Sequence, residues 1–141
     1  GVVYDPFLDE MWTARHNSAA LLNGRAIRVS ETDKLESAIV SIGFAKSRAT
    51  LKENLPLFSR LYHRVLKVRL LGSAALALTW TAAGRLDAYR ENGISLWDVA
   101  AGGLILERAG GEFWHQPLQK EYTYELIATN GRLRKKIKRL L

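Results

Sequence analysis

The sequence predicts an α/β fold in which a mixed sheet is layered with helices rich in small residues. Three observations point there. The first thirty residues read as hairpins, and the middle of the chain alternates short Ile- and Val-rich runs with longer helical segments. Two of those segments, "AALALTWTAAG" and "DVAAGGLILERA", are dominated by Ala, Gly and Leu, which suits helices that approach a neighbour closely.

The elements follow in order. "GVVY" is an apolar strand, a turn falls at Asp5-Pro6, and "MWTAR" is the returning strand. Within "AALLNGRAIRVS", Asn23-Gly24 is a tight-turn signal between apolar pairs, and "SAIVSIGF" is a further short β run. Thr50 and Glu53 have capping-box spacing ahead of Leu57, Phe58, Leu61, Tyr62, Val65 and Leu66 at helical intervals, although Pro56 offers a start at Asn54 instead. "KVRLL" is strand-like, and Gly72-Ser73 opens a helix that Gly84 ends. "RLDAYRE" is a strand, and a helix is expected from Asp98 to Ala109, stopped by Gly110-Gly111. The strands "EFW" and "YELIAT" and a basic C-terminal helix complete the chain. The expected organisation is a hairpin region over 1–30, an α/β subdomain over 35–131 and the basic helix over 132–141.

With 141 residues, 48% apolar and 25% charged, the chain suits one domain that removes roughly 68% of its unfolded surface from water. The absence of Cys excludes disulfides and thiolate metal sites and leaves the redox compartment open; a cytoplasmic location is the expectation. The longest uncharged run, Leu70 to Gly84, is 15 residues, too short to span a bilayer comfortably, so no membrane is expected. The chain enters its first strand at once from Gly1, and its only Met is the internal Met11, which predicts a piece of a longer chain cut at or inside a strand. Of the net charge of +7, six positive charges sit in "NGRLRKKIKRLL", so the preceding 129 residues carry only +1. Leu133, Ile137, Leu140 and Leu141 share one face of that tail, which predicts a docked amphipathic helix with a solvated basic face. Binding to nucleic acid or to an anionic membrane is the alternative, and the interleaved aromatics of single-strand binders are missing.

Three places carry candidate chemistry. Asp98, between Trp97 and the run "VAAGG", is either a helix cap or a ligand for a cation at the edge of a closely packed region. Glu91, seven residues upstream, is a solvated strand-end acid unless a strand-loop-helix turn brings it to the same rim, where an acceptor-only carboxylate suits a hydroxyl-rich molecule. Gly72-Ser73-Ala74 is a plain cap and turn, or a set of backbone N–H groups at a positive dipole end. The acids of "DPFLDE" have no Gly-rich wrap around them, and a hairpin explains them as well as a cation would. His16, His63 and His115 have neither metal-ligand nor triad spacing, and no nucleophile elbow is present.

Taken together, "GVVYDPFLDEMWTA", "ALLNGRAI", "LLGSAALALTWTAAGRLDAY", "WDVAAGGLILERAGG" and "ATNG" resemble the inositol monophosphatase family, almost continuously from Gly1 to Gly131. The resemblance implies a layered αβαβα fold and a Mg²⁺-dependent phosphomonoesterase acting on inositol monophosphate or a similar sugar-alcohol phosphate, lithium-sensitive and homodimeric. It makes Asp98 a metal ligand and places Gly72, Ser73, Ala74 and Glu91 against the sugar alcohol. The implied chemistry is in-line attack of an activated water on phosphorus without a phosphoenzyme. A histidinol-phosphate, fructose-bisphosphate or nucleotide-bisphosphate phosphatase of the same superfamily is the nearest alternative, and Glu91 favours the inositol type. The family's Asp-Pro-(Ile/Leu)-Asp-Gly-Thr run does not occur here, since "DPFLDE" lacks Gly-Thr and spaces its acids differently. No catalytic set is therefore complete within this chain. It is expected to be the C-terminal half of such an enzyme, inactive alone and partnered by an N-terminal half.

Overall fold

The computed structural model describes residues 1–44 and 48–140. Strands β1 (Val2–Asp5), β2 (Glu10–Thr13), β3 (Leu21–Leu22) and β4 (Arg25–Ala26) form a four-stranded antiparallel meander in that order. The β3–β4 turn is Asn23-Gly24, both left-handed at φ 46° and 77°, the backbone that a two-residue hairpin of matching twist needs. The acids of "DPFLDE" serve this sheet. Asp5 Oδ1 accepts the N–H groups of Phe7 and Leu8, Asp9 accepts the Tyr4 hydroxyl, and Glu10 holds Arg85 through two bonds of 2.6 Å.

The second sheet has five strands in the order β6-β5-β7-β9-β8, with β5 (Ile39–Gly43), β6 (Lys67–Arg69), β7 (Ala88–Ser95), β8 (Glu112–Pro117) and β9 (Thr123–Thr129). β6, β5 and β7 run parallel, and β9 and β8 are antiparallel additions. Helices α2 (Ala74–Ala82) and α3 (Leu96–Arg108) fill the space between the two sheets. They share a core with Trp12, Tyr89, Leu126 and Ala128, and Ala77, Gly102 and other small residues let them lie close together. On the far face of the larger sheet, α1 (Arg48–Tyr62) and the short α4 (Arg134–Lys138) pack Leu57, Leu61, Leu133 and Ile137 onto Val40, Ile42, Ala88 and Ile127. The strand periodicity accounts for this division, because Val40 and Ile42 belong to that core while Ser41 between them does not. The result is sheet, helices, sheet, helices: the layered α/β class expected.

Several boundaries differ from expectation, and of the basic helix expected over 132–141 only Arg134–Lys138 is helical among the described residues. α1 is already helical at Arg48, so neither Thr50 nor Asn54 starts it; the Glu53 side chain of the expected capping box lies outside the described residues. Pro56 sits inside this helix, where it removes one N–H, and Asn54 Nδ2 donates to the Thr50 carbonyl at 2.8 Å. β7 does not end at Glu91 but runs on to Ser95, and α3 begins directly at Leu96 rather than at Asp98. Leu133 and Ile137 are fully buried and Leu140 packs beside them; Leu141 of the expected apolar face lies outside the described residues. Among the described residues no helix is long and apolar enough to cross a membrane.

Candidate active site

A pocket of about 430 Å³ opens where the carboxyl ends of β5 and β7 meet the first turns of α2 and α3. Open α/β sheets place ligands at such strand ends. Gly72, Ser73, Ala74, Glu91 and Asp98 all line it.

Gly72 adopts a left-handed backbone, φ 72°, which turns the chain from β6 into α2. Ser73 is the N-cap of α2, its hydroxyl accepting the Leu76 N–H at 3.3 Å. The cap and the turn are therefore real, and they also bring the positive end of α2 to the pocket wall.

Glu91 arrives differently from the expected loop. β7 is continuous past it, and a β-bulge between Asn92 and Ile94, with Gly93 at φ 81°, inserts one residue. The insertion resets the alternation, so Tyr89, Glu91 and Ile94 all face the pocket. The Tyr89 hydroxyl donates to Glu91 Oε2. Beside them β5 supplies Gly43, where a Cβ would lie 2.1 Å from Glu91 Oε2 and 2.9 Å from the Tyr89 hydroxyl oxygen. Only a residue without a side chain leaves room for that pair.

Asp98 is the third residue of α3 and not its cap. Ser95 holds the cap position without a side-chain bond, and the Leu96 N–H is satisfied by the Tyr122 carbonyl at 2.9 Å. Relieved of capping, the exposed Asp98 carboxylate has no hydrogen-bond partner among the described residues and stands at the rim. Trp97 is 72% exposed beside it, so it marks the pocket mouth rather than the packed region expected.

The electrostatics are those of a site short of positive charge. Burial first, then the charge of Asp98, push the Glu91 carboxyl above the usual carboxylate range, against the opposing Tyr89 hydrogen bond and Arg90 charge. Burial and the Glu91 charge raise the Tyr89 phenol well beyond its ordinary value. Mg²⁺ is a hard cation that commonly takes one or two carboxylates and completes its shell with water and phosphate oxygens. The Asp98 carboxylate fits such an ion in kind, as one arm. Among the described residues no cluster of three His, Cys, Asp or Glu could enclose a metal.

The pocket also contains residues that sequence reading did not single out. Tyr89 was within reach, since it sits two positions before Glu91 in one strand and so on the same face. Ser41 and Gly43 were not, because they join the pocket only through the parallel pairing Ser41↔Tyr89 and Gly43↔Glu91.

Comparison with known proteins bears on this geometry. A model of the inositol monophosphatase family matches residues 1–139. The inositol-1-monophosphatase of Synechocystis sp. is 42% identical over 145 aligned positions, which cover 100% of this chain and 50% of that protein. The Nus factor SuhB of Escherichia coli is 42% identical over 113 positions, covering 78% of this chain and 42% of the relative. Among solved structures, an inositol monophosphatase from Anabaena (Nostoc) sp. superposes with a TM-score of 0.91 at 41% identity, over 99% of this chain and 57% of that one. The chain thus spans about half the length of the curated relatives it matches.

Proposed function

The chain belongs to the inositol monophosphatase family, and from that premise we propose that it contributes the C-terminal half of a Mg²⁺-dependent phosphomonoesterase site for inositol monophosphate or a related sugar-alcohol phosphate. The observation that carries the reading is convergence: Asp98, Glu91 and the Gly72-Ser73-Ala74 turn, separated in sequence, line one pocket.

In this reading Asp98 would hold Mg²⁺, which when bound supplies charge neutralisation at a phosphate ester and activation of water. The chain's own residues do the rest of the recognition. Glu91, fixed by Tyr89, accepts a hydroxyl of the polyol, and the N-terminal end of α2 offers N–H groups and a positive dipole to its oxygens. Half-buried beside Tyr89, Glu91 keeps its carboxylate aimed into the pocket for that hydroxyl contact. One carboxylate arm does not bind Mg²⁺ tightly. The remaining arms belong to an N-terminal half, for which β1 has a free edge among the described strands and the outer sheet face exposes Val2, Tyr4 and Met11. Lithium inhibition, assembly as a homodimer and a cytoplasmic location belong to the same reading.

The test is phosphate release from inositol 1-phosphate by the chain alone and by a fusion carrying the N-terminal half of the Synechocystis relative. Mg²⁺-dependent release by the fusion only, lost on Asp98→Asn, is the expected result. Release by the chain alone overturns the half-site assignment, and a folded but inactive fusion overturns the phosphatase reading.

A further inference from the structure

The strongest charge concentration lies at the other end of the larger sheet. β9 runs antiparallel to β7, so Thr129 pairs with Ala88, and the turn that follows lies opposite the Glu91 end. Glu112, which starts β8, is paired with the same Thr129. Here a trough of about 570 Å³ is lined by Arg132, Arg134, Lys135, Lys136 and Arg139, with Glu112 as its one acid.

Glu112 is taken up by an ion pair with Arg134. Arg132 Nη1 and Lys136 Nζ donate to the main-chain carbonyls of Glu31 and Asp33, which aim both side chains without neutralising them. The carboxylate nearest Arg132, that of Glu31, is 4.0 Å away and 90% exposed, too weak a partner to cancel its charge. Lys135 and Arg139 are exposed and have no carboxylate partner among the described residues. Four cations therefore face the trough without a close counter-charge.

The surroundings narrow the ligand. An amphipathic helix that binds a membrane needs an apolar face free to insert. Here Leu133 and Ile137 are fully buried in the protein core, so that face is already used. Single-strand binders stack bases on open aromatic rings. The nearby Trp114 ring is instead covered by Lys138, whose Nζ lies 4.8 Å from its centroid. What remains is a row of cations, half of them guanidinium forks suited to phosphate oxygens.

We propose that this trough binds the phosphodiester backbone of double-helical nucleic acid, independently of the pocket and of the phosphatase reading. With Arg132 partly held by Glu31, the four cations are enough to neutralise about three phosphates. Three neutralised phosphates give a salt slope of about −2.7, or about 40-fold weaker binding between 50 and 200 mM salt. Contacts confined to the backbone carry no base preference.

The test is fluorescence anisotropy of labelled 20-base-pair DNA and RNA duplexes with the intact chain. The expected result is binding of at least one duplex at 50 mM salt with that slope. Lys135→Glu/Arg139→Glu is expected to weaken binding at least tenfold with an unchanged far-UV spectrum. The control Lys67→Glu/Arg69→Glu makes the same charge change on exposed residues of β6, at the opposite edge of the sheet, and is expected to leave binding intact. Absence of duplex binding, salt-independent binding, equal loss in the control, or preference for anionic vesicles of phosphatidylglycerol over both duplexes each overturns the proposal.

Discussion

Replacement of Asp87 is the most demanding test of how this fold is held. Asp87 is 5% exposed at the head of β7, and its two carboxylate oxygens are both used. Oδ1 accepts the Ser30 hydroxyl at 2.5 Å, and Oδ2 accepts the Ile39 N–H at 2.6 Å. Asn130 closes the network, donating to Ser30 Oγ at 3.0 Å and to the Thr32 carbonyl at 2.7 Å. The Asp87 side chain thus ties the strap leaving the hairpin sheet to the start of β5, and Asn130 joins the turn after β9 to the same strap. A hydrogen bond to a charged group contributes about 1.5–3 kcal/mol, and a buried donor left unpaired costs more than the bond alone returns. Two such bonds put Asp87→Ala at roughly 3–5 kcal/mol of destabilisation, out of the 5–15 typical of a whole domain. At roughly 3 °C per kcal/mol for a chain of this size, Tm falls by about 10–15 °C.

Asp87→Asn separates geometry from bulk. Its amide oxygen still accepts from Ile39, and its NH₂ donates to Ser30 Oγ, which rotates to receive it, so the expected cost is only about 1–2 kcal/mol. Urea denaturation followed by far-UV circular dichroism reads both variants. A loss below 1 kcal/mol for Asp87→Ala, or equal losses for the two, would refute the assignment of this network as the tie.

Three further outcomes follow from the packing and from the pocket. Gly102→Ala places a Cβ 2.8 Å from Leu78 Cβ and 2.9 Å from its Cδ1. Forcing α2 and α3 apart costs about 1–3 kcal/mol, set against a gain of about 1 from helix propensity; a net loss is expected in urea melts, and a gain contradicts the close approach. Glu91 has a folded-state pKa raised by burial, so its contribution to stability is full below the ordinary Glu range and is lost as pH rises through the raised value. Glu91→Gln should therefore gain stability relative to the parent as pH rises above the ordinary Glu range, about 4, in EDTA, and parallel pH curves would count against it. Gly43→Ala drives the Glu91 carboxylate from its place beside Tyr89, and should flatten the same pH dependence while the fold is retained.

What the sequence made legible was local. Asn23-Gly24 announced its hairpin, Gly72-Ser73 its helix start, and the small residues of α2 and α3 their burial. The misreadings arose where distant chain satisfied a group that local rules assign elsewhere. Glu91 reads as a strand-end acid, yet pairing with β9 supplies hydrogen bonds that carry the strand on to Ser95, with the extra residue absorbed at the Gly93 bulge. Asp is a favoured cap, yet the Tyr122 carbonyl already takes the first N–H of α3, and the helix starts two residues before Asp98. These two departures are one event seen from both ends. β9 pairs with β7 from Ala88↔Thr129 to Ser95↔Thr123, and the loop before it reaches Leu96. Had β7 ended at Glu91, a flexible loop would separate the two acids and neither would be fixed. Because the strand runs straight into the helix, Glu91 is held by Tyr89 on the pocket face while Asp98, released from capping, stands at its rim. The feature that local reasoning missed is the one that brings the two carboxylates it singled out to one pocket.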